Sequence, residues 1–141
     1  MPFGKTRTAA TYAKEILRSV AGDELAENSV VDGTQVPLNG DGRRILQTGT
    51  VMVFTAGLGS KVKPAPGTGV VAADVAGIVM NTTEFWPDAN LTAADDKPLA
   101  LFTKNCRFET SQLTGYSGNA AEVKLGMAGA GNGRCANCSF E

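Results

Sequence analysis

The residues of this sequence best suited to chemistry are its three cysteines, Cys106, Cys135 and Cys138. Cys135 and Cys138 have the Cys-x-x-Cys spacing found in redox-active pairs and in zinc sites. A redox pair should open a helix after a strand, and a zinc site would need a fourth ligand besides Cys106. We therefore expect small packed thiols, in the core or at a subunit contact, with metal and redox roles as alternatives. An odd number of cysteines also argues against a secreted disulfide framework.

Other catalytic groups are sparse. The sequence contains no histidine, which excludes Ser-His-Asp and Cys-His catalysis and histidine-bearing zinc sites. Asp95 and Asp96 are adjacent, so their side chains diverge and favour a turn over acid–base work. The Asn39–Gly42 run lacks the ligand spacing of a calcium loop and is typical of a tight turn. The sequence therefore predicts no catalytic residue, no cofactor and no metal, and a protein that is not an enzyme.

Composition narrows the class further. The 141 residues carry a formal net charge of -1, which disfavours nucleic-acid binding, and no apolar run approaches the length of a membrane span. Residues 1–7 are charged but have no apolar run behind them, so we expect no secretory signal and a protein assembled inside a cell. The 17 glycines favour β-structure with many turns.

Three apolar runs, at 49–54, 75–80 and 99–108, should provide the strands that position everything else. They predict a mainly β fold, a small β-barrel or sandwich, over residues 45–125. Residues 1–44 are expected to form an arm with a turn-rich segment, and 126–141 a glycine-rich tail bearing two cysteines. Gly77, inside an apolar run, predicts a bulge or a close backbone approach. Further short strands are expected at Val30–Val31, at Lys61–Lys63 along an edge, and at Glu122–Leu125.

The arm carries the one convincing amphipathic helix pattern. Its apolar positions are spaced by three and four residues: Ala9, Tyr12, Ala13, Ile16, Leu17 and Val20. A helix of about three turns is marginal alone, so its apolar stripe must dock either on its own β domain or on a partner. An extended arm that adds a strand to a partner's sheet is a third possibility, which the low content of β-branched residues does not favour. Trp86 lies beside a proline in a polar stretch, either as a lid of the core or as an interface anchor. The candidate partner-contact residues are Tyr12, Ile16, Leu17, Val20 and Trp86.

The order of the β segments resembles that of the lambda-like phage head decoration proteins. The segments that carry the resemblance are Gly49-Thr-Val-Met-Val-Phe54, Lys61-Val-Lys-Pro64, Val75-Ala-Gly-Ile-Val79 and Leu99-Ala-Leu-Phe-Thr-Lys-Asn-Cys-Arg-Phe108. Ala76-Gly77-Ile78 matches the family's central motif, and Lys104 and Phe108 match the ends of the last segment. Cys106 stands where the family usually has glycine. About 60 residues are covered, and the N-terminal segment and the tail lie outside.

The resemblance implies a β-tulip-like module that assembles as a homotrimer on the outside of an icosahedral capsid. Such a protein sits at three-fold and quasi-three-fold positions, binds the major capsid protein and stabilises the expanded shell. The expected location is therefore the exterior of a virion assembled in the host cytoplasm. Another phage structural subunit (tail tube, head completion or fibre base) and a small thiol or zinc-binding protein remain alternatives.

Overall fold

A computed structural model describes residues 16–19, 22–85 and 96–141 of the chain. The fold is mainly β, as predicted. The strands are β1 (Leu17–Ser19), β2 (Leu25–Val31), β3 (Arg44–Leu46), β4 (Val51–Phe54), β5 (Val62–Pro64), β6 (Val75–Val79), β7 (Thr83–Phe85), β8 (Lys97–Lys104), β9 (Arg107–Phe108) and β10 (Ser139–Phe140). The described ranges contain one complete α-helix, α1 (Ala120–Leu125), which runs into a π-helical turn, Gly126–Ala130, and a single further α-helical residue, Ile16. None of the described helical segments is long and apolar enough to span a membrane.

Five strands form a ring-like sheet in the order β2-β5-β4-β6-β8, which we call the strand ring. Its pairs are antiparallel except where β2 meets β5 at Val31 and Val62. Strand β8 pairs with β2 from Leu25 to Val31, so these two strands form the longest ladder. Outside the ring, β3 pairs with β7, and β1, β9 and β10 form a small sheet in that order, the terminal sheet.

The ring includes part of the predicted arm. Leu25–Val31 lies within residues 1–44 but supplies a full ring strand, so the β module begins before Ile45. Along this strand only Ser29 and Val31 are buried. Its exposed positions mix apolar Leu25, Ala26 and Val30 with polar Glu27 and Asn28, and one of its two buried positions is a serine, so the alternation that marks a half-buried strand is nearly absent from the sequence.

The predicted tail is also part of the fold. Arg134 donates from Nε to the carbonyl oxygen of Ala76 at 2.9 Å and from Nη2 to Ser29 Oγ at 2.5 Å. Its guanidinium lies 5.6 Å from the centre of the Phe54 ring. The tail is therefore tied to three different ring strands.

The N-terminal helix prediction can be compared with the structure only at its end, where Ile16 is helical as predicted and Leu17 is not. Leu17–Ser19 is strand β1, and Leu17 pairs antiparallel with Phe108. The Ile16 carbonyl accepts a hydrogen bond from the Glu109 amide at 2.8 Å. The predicted helical conformation therefore stops after Ile16, because pairing with β9 holds Leu17 in an extended strand. Positions 9–15 and 20 of the pattern lie outside the described residues.

Two further local predictions need correction. Glu122–Leu125 belongs to α1 and is not a strand. The sequence predicts Lys61–Lys63 along an edge, but Val62 is fully buried in β5, which has a neighbour on each side in the ring. In contrast, the short strand at Val30–Val31 is confirmed as the end of β2.

Two hydrophobic clusters lie on the two faces of the ring. The inner cluster draws on all five strands: Val31, Val36, Leu46, Met52, Phe54, Val62, Ala76, Val79, Phe85, Leu99 and Leu101. The outer cluster lies between the ring and the rest of the chain: Ile16, Leu17, Val51, Val53, Val70, Val75, Ile78, Phe102, Cys106, Phe108, Tyr116, Val123, Met127, Cys135 and Cys138. Residues of β4 alternate between the two clusters, as side chains of a strand must.

Gly77 is where this alternation breaks in β6. Val75 and Ile78 both join the outer cluster, although strict alternation would put them on opposite faces. The ladder between β4 and β6 shifts register at this place, which is the signature of a bulge. Gly77 has a φ of 143°, and a Cβ atom there would lie 2.7 Å from the Phe102 carbonyl oxygen. The predicted bulge and close backbone approach are both confirmed.

Asn119 joins the loop after β5 to the segment before α1. Its side chain accepts a hydrogen bond from the Val70 amide at 3.1 Å and donates to the carbonyl oxygens of Pro66 at 2.8 Å and Gly115 at 2.9 Å. The residue is only 5% exposed, so water cannot replace these partners without opening the loop.

We expect Asn119→Ala to lower the free energy of unfolding by about 2–3 kcal/mol, because it leaves buried backbone groups unpaired. Urea denaturation followed by circular dichroism measures this loss. The matched control is Ser117→Ala in the same turn, at an exposed position, which should stay within about 0.5 kcal/mol of the parent chain. Equal stability of the two variants would mean that Asn119 does not hold the loop.

Candidate functional site

The predicted contact residues divide into two groups. Tyr12, Val20 and Trp86 lie outside the described residues. Ile16 and Leu17 are 3% and 8% exposed and pack in the outer cluster. Their side chains therefore contact this chain's own core, which was one of the two docking alternatives, and leave little surface for a partner.

The terminal sheet brings together three segments that are distant in sequence. Phe108 of β9 lies in its centre, with its ring centroid 5.3 Å from that of Phe140 and 6.1 Å from that of Phe102. Tyr116 stacks on Phe140 at 4.9 Å. This aromatic stack holds the end of the chain against the outer face of the ring.

The same sheet aligns two copies of one short sequence. Asn105-Cys-Arg-Phe108 and Asn137-Cys-Ser-Phe140 share the pattern Asn-Cys-x-Phe. They run parallel, with Ser139 opposite Arg107 and Phe140 opposite Phe108. We call them the paired Asn-Cys segments. The Cys-x-x-Cys spacing does not predict this pairing, whereas the repeated tetrapeptide is a signal of it that is visible in the sequence.

The two asparagines take the same unusual backbone conformation. Asn105 has a φ of 62° and Asn137 a φ of 59°, and they are the only residues other than glycine with a positive φ in the described part of the chain. Asn137 Nδ2 donates to Asn105 Oδ1 at 3.2 Å. The turn before β9 requires a residue in the left-handed backbone conformation. Asparagine occupies this position and tolerates that conformation. Cys106 follows it and needs no glycine-like φ.

The three cysteines meet in the outer cluster, all of them buried free thiols. A hydrogen bond between the Cys106 and Cys138 side chains, together with burial, raises the pKa of Cys106. The same bond lowers the pKa of Cys138, with help from the backbone groups of Cys106 and Asn105. Burial raises the pKa of Cys135 to about 12, so this thiol stays protonated at neutral pH.

The geometry of the thiols bears on the sequence-based alternatives. Over residues 16–19, 22–85 and 96–141, the side chains form no group of three or more Cys, Asp or Glu that could hold a metal ion. The register of β10 on β9 makes Cys106 and Cys138 neighbours across the two segments, a pairing that the Cys-x-x-Cys motif does not contain. What this arrangement can do chemically is thiol–disulfide exchange between neighbouring strands.

The outer surface offers a second kind of site. Large apolar side chains that remain exposed in the described ranges are Leu25, Val30, Leu38, Leu58, Val71 and Leu125. The next residues in the chain after Val71 and Leu125 are Ala72 and Gly126. These two lie close together, because a Cβ on Gly126 would be 2.8 Å from the Ala72 carbonyl oxygen. Val71 and Leu125 are 48% and 49% exposed and mark one place on the surface where an apolar contact could form.

Comparisons with known proteins leave these sites to be interpreted on their own geometry. No family model matches the chain, and no curated protein matches it.

Proposed function

We propose that this chain is a capsid decoration protein that binds the outside of an icosahedral phage head and stabilises the expanded shell. It acts as a homotrimer at three-fold and quasi-three-fold positions, with the major capsid protein as its partner. Its location is the virion exterior. Each copy contributes a modest contact, and the closed lattice adds these contacts together.

The observation that supports this proposal is the position of the resembling segments in the fold. They lie between Gly49 and Phe108, and this stretch contains β4, β5, β6 and β8. These four are consecutive neighbours in the ring, in the order β5-β4-β6-β8. The likeness to the lambda-like decoration proteins therefore follows four neighbouring strands of the ring and ends in β9 of the terminal sheet, and we propose a β-tulip-like barrel for the ring.

The contact surface follows from what the fold leaves available. Ile16 and Leu17 are buried in this chain's own core, so they do not themselves face the shell. Tyr12, Val20 and Trp86 remain the proposed partner contacts. The exposed side chains of Val71 and Leu125 add an apolar patch for the shell or a sister subunit.

The test is co-sedimentation of the purified protein with expanded heads of the virus that encodes it. Deleting residues 1–12 removes Tyr12 and leaves β1 intact, and we expect roughly tenfold weaker binding because one contact is lost from every copy. Unexpanded heads serve as the control and should bind neither protein. Undiminished binding of the truncated chain would contradict the proposed role of the arm.

Native mass measurement separates the proposal from its nearest alternative. A trimer supports decoration, whereas a hexameric ring supports a tail or connector subunit. Absence of the chain from purified virions contradicts both.

A further inference from the structure

The strand pairing of the terminal sheet places two cysteines side by side. Ser139 lies opposite Arg107, and the Ser139 amide donates to the Cys106 carbonyl oxygen at 2.9 Å. Cys138 and Cys106 are the residues immediately before this pair, so they are neighbours across the parallel strands. Adjacent strands are about 4.8 Å apart, which falls within the range of Cα separations that a disulfide spans.

The side chains of the two cysteines also point the same way. Phe108 and Phe140 stack on each other, and each lies two residues after its cysteine. Because side chains alternate along a strand, positions two residues apart share a face. Both thiols are accordingly in the outer cluster with these rings.

We propose that Cys106 and Cys138 are a disulfide-forming pair, which a small-molecule disulfide such as oxidised glutathione converts into a reversible intrachain cross-link. This inference is independent of the proposed function. It also differs from a Cys-x-x-Cys redox motif, since the bond joins the two Asn-Cys segments and Cys135 takes no part.

The chemistry is two successive exchanges. The Cys138 thiolate attacks one sulfur of oxidised glutathione, forms a mixed disulfide and expels one glutathione thiolate. Cys106 then loses its proton to solvent, attacks the Cys138 sulfur and expels the second glutathione. Two protein thiols are thereby oxidised, and one glutathione disulfide is reduced to two thiols.

The surroundings assign the order of these steps. Cys138 is the more exposed of the two, at 8% against 0% for Cys106, and its pKa is the one that is lowered. Strand β10 comprises only two residues, so local opening of this strand admits the oxidant at small cost. Cys135 is fully buried and its pKa is raised, which makes it a poor nucleophile.

The cross-link would hold the end of the chain to the ring. The bond between Cys106 and Cys138 closes a loop that contains α1 and the π-helical turn. A loop of this kind restricts the unfolded chain, so oxidation should raise the thermal unfolding midpoint. Reduction should return the midpoint to its starting value.

The experiment starts from the reduced full-length protein, incubated with oxidised glutathione at neutral pH. Remaining thiols are blocked with iodoacetamide in denaturant, and the protein is digested without reduction. We expect one alkylated residue, Cys135, and one cross-linked peptide pair joining Cys106 to Cys138. The thermal midpoint should rise, and dithiothreitol should reverse it.

Two variants sharpen the test. Cys135→Ala should form the same cross-link, whereas Cys138→Ala should keep both of its remaining thiols alkylatable. A cross-link between Cys135 and Cys138, a stable glutathione adduct on Cys138, or three alkylatable thiols after oxidation would each overturn the proposal. The parent chain treated in urea serves as a check that the oxidant is active.

Discussion

Gly77→Ala is expected to lower the free energy of unfolding by about 3–5 kcal/mol, because it adds backbone strain to a steric clash. The φ of 143° at Gly77 is a conformation that side-chain-bearing residues rarely adopt. The added Cβ would also lie 2.7 Å from the Phe102 carbonyl oxygen and 2.9 Å from the Leu101 Cβ. Both obstacles belong to β8, a strand fixed on both sides in the ring, so neither can move away cheaply.

Guanidinium denaturation of the variant and its parent measures this loss. Gly57→Ala is the matched control, since Gly57 also has a positive φ, of 92°, but no atom lies within 4 Å of its added Cβ. This control should lose only about 1 kcal/mol, the cost of the left-handed backbone alone. If the two variants lost the same amount, close packing of β6 on β8 would not be the reason for glycine at this position.

Ile16→Asp is expected to destabilise the protein by more than about 3 kcal/mol, because it buries an unpaired carboxylate. Ile16 is 3% exposed, and its Cγ2 would lie only 3.1 Å from a Cβ built on Gly49. The substituted side chain could escape to water only if β1 left the terminal sheet. Ile16→Ala should cost about 2–4 kcal/mol, by loss of packing without a buried charge.

Leu25→Asp is the control for this pair. Leu25 is 50% exposed and lies opposite Lys104, so its replacement should change stability by no more than about 0.5 kcal/mol. Parental stability of Ile16→Asp would show that β1 is not docked. Ile16→Asp is therefore unsuitable for the capsid-binding experiment. A loss of binding by this variant would report unfolding and not a lost contact.

The sequence predicted those strands whose side chains are apolar on both faces. β4 and β6 are buried at every position, so they appear as uninterrupted apolar runs bounded by turns. The bulge at Gly77 was also predictable from such a run. A glycine inside an apolar strand provides no side chain to pack, so its presence indicates a bulge or a close backbone contact. Most of strand β2 was missed because apolar and polar residues do not alternate along it: Leu25 and Val30 are exposed whereas Ser29 is buried, so only Val30–Val31 looked like a strand.

The candidate site was harder to foresee than the strands. Pairing of β9 with β1 and β10 joins segments from both ends of the chain, and no local pattern encodes such long-range contacts. The Cys-x-x-Cys spacing drew attention to Cys135, whereas the partner of Cys138 is defined by the register of β10 on β9. The repeated Asn-Cys-x-Phe pattern held that information, but only the fold shows that the two copies lie side by side.

The order of strands in the terminal sheet has a practical consequence for attaching labels or cargo. Leu17 and Phe140 are both level with Phe108, although β1 runs against β9 and β10 runs with it. The start of β1 and the end of β10 therefore lie at the same end of the terminal sheet. They are two strand spacings, or about 10 Å, apart. A peptide appended after Glu141 would emerge beside residue 16, so a fluorescent pair attached to β1 and β10 would report separation of these two strands as a loss of energy transfer.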